Sequence, residues 1–208
     1  MSTTTIPIGP QHPLLKEPLA FTLQAVGETI VSATLRIGYV HRGIERLCQA
    51  RNYAQNVHLF ERVCGICSHA HTTCFCRAVE ALLGVEVPPR GQTIRLIMCE
   101  LERIHSHLLW LGVLAESIGF TTVFMYAWRD REIILDMMEE LSGGRVSHAA
   151  NVVGGARADI GFGQARIVQQ KLAEFRGRLP LFDELLTRDR SFRARTEGLG
   201  VMTKAVVH

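Results

Sequence analysis

The sequence predicts a mainly α chain of the α+β type, a bundle of long helices with a small N-terminal β-hairpin appendage. Three observations predict it. Apolar residues recur at three-, four- and seven-residue offsets over long stretches, the period of a helix that buries one face. Rough alternation of β-branched and polar residues is confined to the N-terminal part, the period of a strand. Glycine and proline fall between these stretches, where a chain must turn.

Gly9 to Pro18 reads as a proline-containing lead-in loop. Leu19–Val26 and Thr29–Ile37 read as two strands, with Gly27-Glu28 as the hairpin turn between them. Ile44, Leu47, Cys48, Val57 and Phe60 carry the helical period on a helix or helix pair. That period continues from about Arg62 to Leu83, ending at Gly84 and stopped by Pro88-Pro89. Thr93–Ile118 is predicted as a long helix, with Ile94, Ile97, Leu101, Ile104, Leu108, Leu111 and Ala115 on one face and Gly119 as its stop. Val123–Leu141 is another, ended by Gly143-Gly144. Val153–Gly163 reads as a glycine-rich loop, and Gln164–Leu186 as a further long helix. Residues 1–40 form the predicted β appendage and residues 41–208 the helical core. Helices of this length bury one stripe each, and a bundle does so for all of them.

At 208 residues the chain can bury a sizeable core. A composition of 47% hydrophobic and 21% charged residues is that of a globular protein. The net charge of +3, with dispersed Lys and Arg, gives no footing to nucleic-acid binding. No window is apolar for long enough to span a bilayer, and Met1 to Pro13 lacks the basic-then-apolar pattern of a signal peptide. The six cysteines are therefore expected as thiols or metal ligands in a reducing compartment, not as disulfides. A soluble protein follows, reaching a membrane only through partners.

The chemistry concentrates in Glu61-Arg62-Val63-Cys64-Gly65-Ile66-Cys67-Ser68-His69-Ala70-His71. Thiolates and imidazoles suit nickel, zinc or iron rather than magnesium or calcium. One reading of the pair is a structural zinc site that recruits Cys74 and Cys76; against it, all four cysteines fall within predicted helix, whereas zinc knuckles sit on turns. Cys48, Cys74, Cys76 and Cys99 are expected to be small buried hydrophobes. His105 and His107 lie two apart on a helix and share no face, so they do not pair on a metal.

The spacing Arg62-x-Cys64-Gly65-x-Cys67-x-x-x-His71 resembles the first metal-binding motif of nickel–iron hydrogenase large subunits. Gly9-Pro10-Gln11-His12-Pro13 and His41-Arg42-Gly43-Ile44-Glu45 resemble blocks shared by the membrane-bound, energy-converting hydrogenases and the homologous 49-kDa subunit of respiratory complex I. Leu82-Leu83-Gly84, Pro88-Pro89-Arg90, Glu102-Arg103-Ile104 and Ser106-His107-Leu108 fit the same superfamily. The resemblance implies a fold like hydrogenase large subunits, with Cys64 as a terminal nickel ligand and Cys67 as a bridge to an iron bearing carbon monoxide and cyanide. It implies His71 as a group beside the bridging thiolate, tuning its basicity, and Glu45 as the proton-relay carboxylate. The implied partners are a small subunit carrying a 4Fe–4S cluster, membrane-arm subunits and a ferredoxin-like carrier. The implied location is the cytoplasmic side, peripheral on the inner face of the cell membrane.

Two other functions compete. A quinone-reducing subunit like the 49-kDa protein of complex I would use a histidine in the first hairpin loop, where this sequence has Lys16. The other is an inactive fragment or scaffold. The family's second motif, Asp-Pro-Cys-x-x-Cys, does not occur here, so half of the nickel–iron ligand set must come from elsewhere. Together with Gly198–His208, which lacks a polar tail or helix stop, this reads as the N-terminal portion of a longer subunit, inactive alone and with apolar helix faces exposed.

Overall fold

The computed structural model describes residues 2–13, 15 and 17–203. Lys16 and the terminal His208 therefore lie outside the described residues. The chain divides into two compact units, Met1–Ala50 and Arg51–His208.

The first unit is a three-stranded antiparallel sheet followed by a short helix. Strands β1 (Thr3–Ile8), β2 (Ala20–Val26) and β3 (Thr29–Arg36) lie in sequence order. Thr3 pairs with Val26 and Ile8 with Phe21, while Ala20 pairs with Arg36. Gly27 turns the β2–β3 hairpin at φ +61, a conformation that costs glycine little. The sequence predicts two strands here, and the structure adds β1. Pro7 explains why it is hard to read: a residue without an N–H is tolerated only where no ladder bond is needed, as on the edge strand β1. Helix α1 (Ile44–Gln49) closes this unit, entered through Gly43 at φ +65.

The second unit is helical. Helix α2 (Tyr53–Glu61) starts with a capping box, in which Asn52 accepts from the Gln55 amide and Gln55 accepts from the Asn52 amide. Helix α3 (Ser68–Leu83) ends at Gly84, left-handed at φ +65. Helix α4 (Pro89–Ser117) has a proline at its first position, where no N–H is missed. Helix α5 (Thr121–Ser142) ends at Gly143, and a small hairpin of β4 (Asn151–Val152) and β5 (Gly155–Ala156) follows. Helices α6 (Phe162–Arg176), α7 (Leu179–Thr187) and α8 (Arg190–Thr196) complete it.

Two predicted helices are broken. The stretch from Arg62 to Cys67 is a turn, because α2 caps at Arg62, whose amide bonds back to Leu59, and α3 begins only after Cys67. The predicted Gln164–Leu186 helix divides at Gly177, followed by Pro180 in the first turn of α7.

The core lies where α4 and α5 pack. Met98, Leu101 and Leu108 meet Ala127, Ile134, Leu135, Met137, Met138 and Leu141, and Val168, Phe175 and Phe182 cover them from α6 and α7. Each of these side chains larger than alanine stabilises by about 1.5–3 kcal/mol when fully buried. Gly112 lets α5 come close, since a Cβ there would lie 2.8 Å from the Trp128 ring. Among the described residues no helix is long and apolar enough to cross a membrane.

Candidate functional site

Cys64 and Cys67 sit on the turn that joins α2 to α3, both half-buried. The turn is held at its start by Arg62, whose guanidinium donates to the His58 carbonyl at 2.9 Å and to Glu61 at 3.2 Å. The Ile66 amide donates to Cys64 Sγ at 3.4 Å, which folds the loop around that sulfur. Burial pushes the Cys64 thiol up, but hydrogen bonds from the Cys67 thiol and from the Ile66 and Cys67 amides outweigh it and hold Cys64 below its ordinary value. Cys67 moves the other way, to about 12, through burial, the bond to Cys64 and the nearby negative charges of Cys64 and Glu102. The two sulfurs are therefore close enough to interact, and the hydrogen bonds around them favour a thiolate at Cys64 over one at Cys67.

The start of α3, just beyond Cys67, is fixed by a carboxylate from α4. Glu102 accepts from the His69 amide at 2.5 Å and the Ala70 amide at 2.9 Å, and Ser68 Oγ lies 3.3 Å away. Free amides and the positive end of the helix dipole favour an anion here. His69 is buried beneath, with Nε2 at 3.0 Å from the Arg95 carbonyl and Nδ1 facing the Asn151 amide at 3.3 Å. Burial drives the His69 imidazole down to about 4. Asn151 also bonds Thr72 and Thr73, tying the β4–β5 hairpin to α3. Farther along α3, buried Glu80 takes a two-pronged bond from Arg95 at 2.5 and 3.0 Å, plus the Gly154 amide at 2.8 Å. The Arg95 bond, outweighing burial, holds the Glu80 carboxyl below the usual carboxylate range. Glu61, buried at the end of α2, accepts from Ala149.

The structure brings together Cys64 and Cys67. His71 stands one turn into α3, half-buried, its amide donating to the Cys67 carbonyl at 3.2 Å. Glu45 lies in the first turn of α1, exposed, in the N-terminal unit. Cys76 is buried, whereas Cys74 is exposed rather than an apolar core residue, and Cys48 and Cys99 are half-buried. Cys74 and Cys76 lie two apart on α3 and so point to different sides, which denies the four-cysteine zinc reading a common site. Among the described residues no group of three or more His, Cys, Asp or Glu side chains is arranged to hold a metal.

Sequence reasoning missed Glu102, His105 and Arg95. Their signal was present: charged and polar residues interrupting the apolar stripe of α4, a helix face that enters the core. His105, read only as unable to share a metal with His107, is buried and bonded on both ring nitrogens.

As a donor set, two soft sulfurs on one short turn suit a thiophilic metal and fill two of its positions. They fit half of a nickel–iron ligand set.

A family profile described as nickel-dependent hydrogenase matches residues 42–152, and one described as the 49 Kd subunit of respiratory-chain NADH dehydrogenase matches residues 117–208. The chain is 43% identical over 199 residues to the membrane-bound hydrogenase subunit alpha of Pyrococcus furiosus, covering 96% of this chain and 47% of that protein. It is 39% identical over 199 residues to a subunit of the NADH-quinone oxidoreductase of Geobacter sulfurreducens, covering 96% and 51%. Among solved structures it is similar to a chain of the membrane-bound sulfane sulfur reductase, an archaeal respiratory membrane complex. That match has a TM-score of 0.83 and 32% identity, over 98% of this chain and 55% of the other. The chain spans about half the length of these relatives.

Proposed function

This chain belongs to the nickel-dependent hydrogenase family, and from that premise we propose that it supplies the first half of the metal site in an energy-converting hydrogenase large subunit. Cys64 and Cys67 would hold a nickel–iron centre together with a second cysteine pair from elsewhere in the assembled protein. When bound, that centre supplies the redox chemistry of hydrogen oxidation or proton reduction. The observation that carries this reading is the thiol pair itself: two half-buried sulfurs on the one short turn between α2 and α3, with the Ile66 amide folded onto Cys64 Sγ.

The chain's own residues have definable tasks. Glu102 anchors the start of α3 and so fixes where Cys67 leaves the turn. Arg62 ties the other end of the turn to α2. His71, one turn beyond Cys67, is suited to bias the basicity of that sulfur, and Glu45 to accept and pass on a proton. A small subunit with a 4Fe–4S cluster, membrane-arm subunits and a ferredoxin-like carrier complete the proposed assembly, peripheral on the cytoplasmic face of the membrane. Relatives named as parts of membrane-bound complexes support the membrane-arm part of this reading.

A second reading, a component of a quinone oxidoreductase, is supported by the 49 Kd profile over residues 117–208 and by the Geobacter relative. Replacing Cys64 and Cys67 by serine in the assembled complex separates the two. The hydrogenase reading expects hydrogen-dependent dye reduction to disappear. Full hydrogen turnover in the double variant, or quinone reduction that does not need the thiols, would overturn it in favour of the second.

A further inference from the structure

The peptide before Cys67 and the first amides of α3 beyond it are both held by α4. After Cys67, the His69 and Ala70 amides donate to Glu102. Before it, the Ile66 carbonyl lies 3.2 Å from His105 Nε2. Glu102 and His105 are three residues apart and therefore share one face of the helix. Cys67 itself has φ −131 and ψ 36, outside the helix that follows, so the helix alone does not fix its orientation.

The tautomer of His105 is set by its other neighbour. Arg131 Nε lies 3.0 Å from His105 Nδ1. An arginine Nε–H is always a donor, so Nδ1 must accept, and the single proton of the neutral ring is left on Nε2, facing the Ile66 carbonyl. Arg131 is buried and sits 5.1 Å over the Trp128 ring, which fixes its guanidinium in turn. Burial, followed by the Arg131 charge, pushes the His105 imidazole down to about 4, consistent with a neutral ring.

We propose that His105, held in its Nε2–H form by Arg131, is a positioning residue that turns Cys67 toward Cys64 and makes the two sulfurs a chelating pair for one soft cation. This rests on the reading of Cys64 and Cys67 as joint ligands. Without the bond to the Ile66 carbonyl, the peptide before Cys67 is free to rotate, and the thiols converge only part of the time.

The test uses the full chain and phenylarsine oxide, which requires neither nickel nor partner subunits. Its arsenic bonds two convergent thiols, and its oxygen leaves as water with both thiol protons. Peptide mass mapping assigns the adduct to the turn carrying Cys64 and Cys67. His105→Leu is expected to slow capture at that turn about tenfold, the order of one ordering hydrogen bond. His105→Gln, whose amide nitrogen falls near the Nε2 position, is expected to restore most of the rate. Arg131→Met keeps the ring but frees its tautomer, and is expected to fall between. Wild-type capture by a folded His105→Leu chain, or a His105→Gln chain no faster than His105→Leu, would overturn the positioning role. If His105→Leu does not fold, Arg131→Met decides, and an unchanged rate there overturns the proposal. Retained capture in Cys64→Ser would instead sink the reading of the two thiols as a pair, and the proposal with it.

Discussion

The two ends of α3 each rest on a buried carboxylate, and they solve the burial of its charge differently. At the start, Glu102 is met by backbone amides and a hydroxyl, with the helix dipole behind them. Near the far end, Glu80 is met by the guanidinium of Arg95, itself bonded to the Val152 and Gly155 carbonyls of the β4–β5 hairpin. The first arrangement holds its anion with dipoles of the element it anchors. The second needs a full opposite charge from another helix and links three elements. An amide-held carboxylate fixes a local conformation, whereas an ion pair inside the protein fixes an assembly, and this places the sensitive turn at the locally anchored end.

The largest expected effect falls at the ion pair. Arg95→Met leaves Glu80 buried without its cation and is expected to destabilise by about 3–5 kcal/mol. Thermal melting checks this, and an unchanged melting temperature would show that the two ends do not differ as argued. Glu102→Gln should cost less, about 2 kcal/mol, because an amide oxygen still accepts while the new NH2 faces donors. Its signature should be local, with faster hydrogen exchange at the His69 and Ala70 amides and little change at Glu80 and Arg95.

Acid acts on the two ends with the same sign but in different windows. His69 and His105, pushed down to about 4 by burial, are neutral when folded and take up protons when unfolded. Their stabilisation is complete above the ordinary histidine value of 6.5 and is lost as pH falls from there toward about 4. Glu80, held below its ordinary value of 4.5, gives stability that is complete above that value and is lost as pH falls from there toward its lowered folded value. Melting scans should fall by about 5 °C or more between pH 7 and pH 5, through the histidines. His69→Gln should flatten part of that fall, and a profile unchanged by it would contradict the assignment. The smallest effect is expected at Ala149, a non-glycine residue at φ +45 whose amide reaches Glu61. Ala149→Gly should raise the melting temperature by about 2–4 °C, since only the strain is removed.

Much of this was legible in the sequence. The helices of the second unit follow their apolar period, and the Cys64 and Cys67 positions stand out by spacing. The turn between Arg62 and Cys67 was not legible, because its apolar residues keep a helical period while the backbone leaves the helix to close around a sulfur. Strand β1 was hidden by Pro7. The supports of the thiol turn were hidden for another reason: His69 and Ala70 are 33 and 32 residues from Glu102, Ile66 is 39 from His105, and Arg131 is a further 26 away. No local pattern specifies partners at that range; only the packed bundle does.

Helix α4 supplies both the hold on the Ile66 carbonyl and the first amides of α3, on either side of Cys67, and, through Met98, Leu101 and Leu108, a wall of the main apolar core. Swinging the thiol turn open therefore means breaking bonds to a helix that the rest of the bundle holds in place. An ion seated on those sulfurs would leave on the timescale of the bundle's own opening, so mutations deep in the α4–α5 seam, far from any sulfur, should shorten its residence.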